Sequence, residues 1–306
     1  MPDRDRVTVL LPTYDEAATI GDCVEGFRDR GFDDVLVMDG SSEDGTREIA
    51  EDHGARVEIQ SGSGKGQAIR EAVREHVDRE YVLMADGDGT YLPEDADRML
   101  APLEEGYEHV IGDRFADMEE GAMTRLNQVG NKLTNGLFSF IHGESFEDIL
   151  SGYRAFSRES FERLRLSADG FGIETEMAVE CAKRGIPTTV VPITYLERPA
   201  GSNTNLHPIR DGGIIFLELF RRAKTNNPLF YFGSVALASG VGGLLIAVYV
   251  ALEWFLFRVP HQIWAIVAAA GILLGVQLLM FGVLSDLILT LHREQLDRIE
   301  SVAEDD

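Results

Sequence analysis

Asp86 and Asp88 sit one residue apart in Tyr81-Val82-Leu83-Met84-Ala85-Asp86-Gly87-Asp88, after a short apolar run and before a glycine-rich turn. A divalent ion bridging a diphosphate needs hard oxygen ligands, and one or two carboxylates with phosphate oxygens suit Mg2+ or Mn2+. Spacing alone says little in so acidic a chain, because Asp3/Asp5 and Asp95/Asp97 share it. Position after a strand end distinguishes Asp86 and Asp88. Upstream, Pro12 closes an apolar run, and Tyr14 and Glu16 follow with a ring and an acceptor. In Asp39-Gly40-Ser41-Ser42-Glu43-Asp44-Gly45-Thr46, Asp39 is placed to accept hydrogen bonds from a base or ribose, while Asp44 and Thr46 read as helix caps.

Gly62-Ser63-Gly64-Lys65-Gly66 resembles an anion nest at a helix N-terminus. It is not a P-loop: the first glycine of that motif would fall at Ile59, and Gly66 stands where Ser or Thr is required. Three arginines end segments: Arg114 in Gly112-Asp113-Arg114-Phe115, Arg154 beside Ser151 in Ser151-Gly152-Tyr153-Arg154, and Arg198 in Arg198-Pro199-Ala200-Gly201. Arginine binds phosphate oxygens bidentately and keeps its charge.

These residues need a scaffold. Apolar runs at Val7–Leu11, Asp34–Asp39, Arg56–Ile59, Tyr81–Asp86 and His109–Gly112 read as buried strands, with a further strand at Thr188–Leu196. Helical stretches at Thr19–Arg30, Gly45–His53, Gly66–Val77 and Glu94–Glu105 alternate with the first five. That alternation predicts an α/β layer with a mostly parallel sheet, whose ligands collect at the carboxyl ends of the strands.

The chain changes character after Pro208. Residues 209–227 mix apolar and basic side chains and predict a helix lying in a membrane interface. Leu229–Phe257 and Ile263–Leu289 carry one charge each, Glu253 and Asp286, both placed near span ends at the interface. Each run exceeds the roughly 20 apolar residues that cross about 30 Å of hydrocarbon. The short hinge at 258–262 makes residues 228–291 a transmembrane hairpin, the alternative being two buried core helices. Arg221, Arg222 and Lys224 precede the first span and His292, Arg293 and Arg298 follow the second, against Arg258 alone in the hinge. The positive-inside bias then puts both termini, the domain at 1–208 and the acidic tail at 292–306 on the cytoplasmic side. The N-terminus lacks an apolar signal core, in keeping with that placement.

Composition narrows the partners. The 306 residues carry a formal charge of −24, from 52 acidic against 28 basic side chains. Such a surface repels phosphate backbones and excludes sequence-independent nucleic-acid binding. Only Lys65, Lys132, Lys183 and Lys224 are lysines, a composition expected of a halophile protein working in concentrated salt. At molar salt the Debye length is about 3 Å, so charge recognition must act by direct contact. Cys23 and Cys181 form neither a disulfide framework nor a metal spacing and are expected as small buried hydrophobes.

Taken in order, Pro12-Thr13-Tyr14-Asp15-Glu16, the segment 39–46, Gly64-Lys65-Gly66, Asp86-Gly87-Asp88, Gly112-Asp113-Arg114-Phe115, the segment 151–156 and Arg198-Pro199-Ala200-Gly201 make a specific series. Over about residues 7 to 210 the chain resembles family 2 glycosyltransferases, and within them the dolichyl- or polyprenyl-phosphate hexosyltransferases. With its acidic composition it is similar to haloarchaeal members that charge dolichol phosphate with the first hexose for S-layer protein N-glycosylation. The resemblance implies a GT-A fold followed by membrane helices. It implies that Pro12, Tyr14, Glu16, Val37 and Asp39 hold the nucleoside and that Lys65, Asp86 and Gly87 serve the nucleotide sugar. Asp88 is then the principal metal ligand with Asp86, for Mg2+ or Mn2+, and Asp88, Arg114 and Arg198 are the catalytic set. Two departures stand out. Asp39-Gly40 replaces a frequent pair of aspartates, and Asn203-Thr204 replaces a frequent Ser-Lys pair. For the missing lysine, Lys132, Arg154 or Arg210 are the expected substitutes, with Ser151, Arg154 and Lys132 on the acceptor phosphate.

The expected reaction is a single inverting displacement through an oxocarbenium-like transition state. A phosphate monoester acceptor has a second pKa of about 6 and is already ionised at neutral pH. Asp113, Asp148, Glu174 and Glu176 therefore need not include a general base. The partners expected are a UDP-hexose (UDP-glucose favoured), dolichyl phosphate and a membrane, with no nucleic acid. Alternatives are a GDP-mannose-dependent dolichyl-phosphate mannosyltransferase and a non-catalytic membrane protein that binds nucleotide sugar. A processive synthase is disfavoured because the chain has no Gln-x-x-Arg-Trp motif.

Overall fold

The computed structural model of the chain describes residues 1–199, 213, 220 and 227–304, with backbone only from 292 on. It divides into two compact units, Met1–Phe216 and Leu217–Asp306.

The first unit is built on a seven-stranded sheet of β1 (Val7–Thr13), β2 (Val35–Asp39), β3 (Arg56–Ile59), β4 (Tyr81–Met84), β5 (His109–Met118), β6 (Arg154–Ser157) and β7 (Thr188–Tyr195). Its order is β3-β2-β1-β4-β6-β5-β7. All neighbours are parallel except β6, which runs antiparallel to both β4 and β5. The mostly parallel sheet matches the expectation. β6 has no counterpart in the sequence reading, because an arginine heads a four-residue strand and spoils its apolar signature. β5 also outruns its expected end at Gly112, continuing to Met118 past a register shift between Asp113 and Asp117, the irregularity in which Arg114 lies.

Side chains alternate between two apolar layers. Val7, Val9 and Leu11 of β1 and Val35 and Val37 of β2 face α1 (Ile20–Asp29), α2 (Thr46–Asp52) and α4 (Ala96–Leu100). Leu10, Leu36, Met38 and Val82 face α3 (Lys65–Glu71, continued by a π turn over Ala72–His76), α6 (Arg158–Arg163) and α7 (Ile173–Arg184). α5 (Arg125–His142) follows β5 and buries only Asn131, Phe138 and Ile141. The predicted helix at 94–105 is broken into α4 between two 3-10 turns, the second carrying Pro102. Cys23 and Cys181 are buried free thiols, and burial pushes both up to about 12.

Pro12 lies inside β1 rather than closing it, opposite Met38. The Val9 N–H points to β2, at the Asp34 carbonyl. By alternation the Pro12 nitrogen faces β4, whose pairing with β1 has already ended at Leu10/Met84. The Ala85 N–H still donates to the Leu10 carbonyl at 3.1 Å, and the missing Pro12 N–H ends the ladder there. Past that point the paired register of β1 and β4 ends, at the carboxyl edge of the sheet.

The second unit contains α8 (Pro228–Leu252), a π turn over Glu253–Phe257 and α9 (Gln262–Glu304). Pro228–Phe257 and Gln262–Leu291 are each long and apolar enough to cross a membrane. They pack through small residues: Gly243 lies against the Ala268 carbonyl, Gly275 against that of Ala236, and the Ser239 hydroxyl donates to the Gly271 carbonyl at 2.9 Å. The interfacial helix expected at 209–227, with Arg210, and the segment 200–204 lie outside the described residues, apart from residues 213, 220 and 227.

Candidate active site

The loops after β1, β2 and β4 meet at the carboxyl edge of the sheet. Ser42 folds back on Asp39, donating its N–H to Oδ2 at 2.9 Å and its hydroxyl to Oδ1 at 2.6 Å. Ser42 Oγ in turn accepts the Asp15 N–H at 2.8 Å, and Thr46 Oγ1 accepts that of Glu16 at 2.9 Å. Asp44 accepts from Thr46 N–H at 3.0 Å and from Ala17 N–H at 3.0 Å, so it both caps and ties the two loops. Tyr14 stands half exposed above this base, and Gly40 leaves room for its ring. Pro12 and Val37 are buried in the sheet beneath. Tyr14 supplies the exposed surface.

At the end of β4, Asp88 is buried and accepts from Thr90 through its N–H at 3.1 Å and its hydroxyl at 2.6 Å. Gly87 packs against Thr13 and Ile20, and its carbonyl accepts the Thr19 hydroxyl at 2.7 Å, which fixes the tight turn. Arg198 reaches in from the segment after β7, pairing with Glu16 at 2.9 Å and with Asp88. Lys65 lies 2.5 Å from both Asp86 and Glu174. Four carboxylates (Glu16, Asp86, Asp88 and Glu174) thus meet Lys65 and Arg198 at the end of β4. Burial, then Asp86, pushes the Asp88 carboxyl above the usual range. Hard oxygen donors fit a divalent cation, which Asp88 and Asp86 would hold.

The glycines around Lys65 do not form an anion nest. Backbone carbonyls of Ala168 and Asp169 press on Gly66 and Gly64, where any Cβ would collide. The Asp169 carbonyl already accepts the N–H groups of Gly66 at 2.8 Å and Gln67 at 3.2 Å. The helix terminus is satisfied internally, by a loop that local sequence could not reveal. Burial alone would lower the Lys65 ammonium, but Asp86 and Glu174 outweigh it and hold it above the ordinary lysine value.

Arg114 is nearly buried. Its Nε donates to Asp148 Oδ2 at 2.6 Å, its Nη2 to Asp148 Oδ1 at 2.8 Å and to Asn131 at 3.3 Å, and its guanidinium lies 5.4 Å from the Tyr195 ring centre. Asp148 is therefore committed to Arg114. Glu176 is committed likewise, accepting the N–H groups of Ser167 and Ala168 at 2.8 and 2.7 Å. Tyr91, Asn131 and Tyr195 are site neighbours that sequence reasoning missed. Only Tyr91 had a local cue, its place three residues after Asp88.

The acceptor-phosphate group is not brought together. Lys132 is exposed on α5 and pairs with no carboxylate among the described residues. Ser151 and Arg154 are fully buried, with the Arg154 guanidinium turned inward onto backbone carbonyls. A phosphate on a lipid has no path to donors enclosed in this way, so that role is withdrawn for both residues.

The profile of the family described as Glycosyl transferase family 2 matches residues 8–165. The chain is 68% identical to Glycosyltransferase AglJ of Haloferax volcanii, over 99% of this chain and 100% of that protein. It is 36% identical to the Dolichyl-phosphate hexose transferase of the same organism, over 69% of this chain and 91% of that one. Among solved structures, mannosyl-3-phosphoglycerate synthase from Rubrobacter xylanophilus superposes with a TM-score of 0.58 at 26% identity, covering 71% of this chain and 73% of that one. Glucosyl-3-phosphoglycerate synthase from Mycobacterium tuberculosis, crystallised with Mn2+, UDP and phosphoglyceric acid, gives 0.59 at 23% identity over 71% and 78%. The fold is GT-A-like, and the chain is an enzyme of glycosyltransferase family 2.

Proposed function

We propose that this enzyme transfers a hexose from a nucleotide sugar, UDP-glucose favoured, to dolichyl phosphate at the cytoplasmic face of the cell membrane, supplying a lipid-linked sugar for protein N-glycosylation. The observation that carries it is the pairing of Asp88 with Arg198 beyond the carboxyl ends of β1 and β4. An acid built for a cation and an arginine built for phosphate share one spot. Support for a lipid phosphate comes from the two apolar helices and from relatives named for it, including Polyprenol monophosphomannose synthase of Mycolicibacterium smegmatis. That relative keeps GDP-mannose in view as the alternative donor.

In this reading Tyr14 and Asp39 hold the nucleoside. Asp88 and Asp86 would hold Mg2+ or Mn2+, which would supply positive charge to offset the departing diphosphate. Arg198 leaves Glu16 and Asp88 for the phosphates, and Arg114, held rigid by Asp148, faces the acceptor phosphate. The lipid phosphate oxygen attacks C1, the bond from C1 to the nucleoside diphosphate breaks, and the configuration inverts. The attacking dianion brings no proton to remove, so Asp113 and Glu174 have none to take.

The test supplies radiolabelled UDP-glucose, UDP-GlcNAc or GDP-mannose, with dolichyl phosphate, to membranes bearing the protein. A labelled lipid that is released by mild acid is the expected product. Failure to label lipid from any of the three donors would overturn the proposal.

A further inference from the structure

Arg154 is the largest wholly buried side chain among the described residues. It heads β6, level with Met84 of β4 and Ile111 of β5, immediately below the loop that carries Asp86. Its Nη2 donates to the Ile149 carbonyl at 2.7 Å and its Nε to the Ser151 carbonyl at 3.0 Å. Nη1 lies 3.2 Å from Nε2 of His109, whose ring stacks on Phe156. Among the described residues no carboxylate forms an ion pair with it. An enclosed guanidinium that meets only carbonyls and an imidazole is an expensive way to fill a core, and a methionine would pack there at lower desolvation cost.

What the guanidinium does is span two carbonyls on either side of Leu150. The residue before that pair, Asp148, grips Arg114 through both oxygens. The residue after it, Gly152, lies against the Asp86 carboxylate, where a Cβ would sit 2.7 Å from Oδ2, and it donates its N–H to the Tyr91 hydroxyl at 2.9 Å. The segment 148–153 belongs to no helix or strand, so hydrogen bonds must define it. One side chain thereby fixes a loop whose two ends fix a phosphate-facing arginine and a metal-facing aspartate.

We propose that Arg154 is a positioning residue of the active site: from inside the protein it holds the 148–152 loop so that Asp148 orients Arg114 and Gly152 seats Asp86, without touching either substrate. This rests on the roles given to Arg114 and Asp86 above. His109 completes the device by accepting from Nη1 in its neutral form.

The test compares full-length wild type, Arg154→Lys and Arg154→Met in detergent. Mn2+ binding with UDP is followed by electron paramagnetic resonance, hydrogen exchange reports on 148–152, and transfer kinetics are measured wherever wild type turns over. Partners that orient metal ligands are typically worth about 10-fold to 100-fold in affinity or rate, and a loss of that size in Mn2+–UDP affinity and in kcat is expected for both variants. The KM for lipid phosphate should rise together with that loss, because Arg114 is disturbed too, and faster exchange should be confined to the loop. The lysine variant keeps the charge, so it serves if the methionine variant fails to fold. A raised acceptor KM with unchanged Mn2+–UDP binding would show direct contact with the acceptor. A lowered melting temperature with unchanged binding and kcat would show a purely structural role. Either result overturns the proposal. The binding and exchange arms need no lipid acceptor, so they decide about Arg154 even if the assigned reaction is wrong.

Discussion

The Nη1 of Arg198 lies 2.9 Å from Oε1 of Glu16, and its other terminal nitrogen binds Asp88. This arginine occupies the charge environment that a divalent cation would enter. Removing it should therefore change two affinities in opposite directions. Arg198→Ala is expected to bind Mn2+ alone about tenfold more tightly, because a nearby positive charge is gone. It should bind UDP-sugar in the presence of Mn2+ more weakly. Titrations followed by electron paramagnetic resonance and calorimetry read both, and an unchanged Mn2+ affinity would contradict the arrangement.

Asp88→Asn keeps the size of the side chain and one acceptor for Thr90 while losing the charge. Transfer should fall by at least about 100-fold, as for loss of a group stabilising transition-state charge, with membrane insertion intact. Activity assays on membranes, paired with carbonate extraction, measure the two separately.

The carbonyls of Ala168 and Asp169 press on Gly66 and Gly64. Gly66→Ala should destabilise the protein by roughly 1–3 kcal/mol, the usual cost of forcing extra volume into a packed contact. Thermal unfolding of the first unit measures this. A variant as stable as wild type would mean that the loop shifts freely.

His109 is buried, and burial, reinforced by the Arg154 charge, lowers its imidazole well below the ordinary value. Between the folded value and the unfolded value of about 6.5 the unfolded chain binds the extra proton, so stability rises with pH there. Below about pH 6.5 the wild type should lose up to about 1.4 kcal/mol per pH unit through this group. His109→Gln retains an acceptor for Arg154 and should remove that part of the slope. Denaturant melts of both proteins from pH 7 to pH 5 give the comparison.

Much of this was legible in the sequence where chemistry and local pattern coincide. Asp86 and Asp88 stood out because a buried strand leads into them, and the sheet places them at its carboxyl edge. The apolar lengths of α8 and α9 were equally plain. What escaped were relationships set by distant parts of the chain. Lys65 looked like a phosphate ligand because nothing nearby shows that Glu174 and Asp86 enclose it. The glycines beside it looked like a nest because the carbonyls filling it arrive about a hundred residues later. Arg154 looked like an acceptor ligand because an arginine in a segment with no strand pattern reads as exposed until β4 and β5 close over it. The Glu16–Arg198 contact spans 182 positions of sequence, beyond any local signal.

The central claim is that acids beyond β4 serve a divalent cation while an ionised lipid headgroup attacks the sugar. It is tested most directly by giving purified full-length protein radiolabelled UDP-glucose with either dolichyl phosphate or the neutral alcohol dolichol, with and without excess chelator. Label should enter only the phosphorylated lipid, vanish with chelator and return with added Mn2+. Full turnover in chelator, or equal labelling of dolichol, would contradict the account.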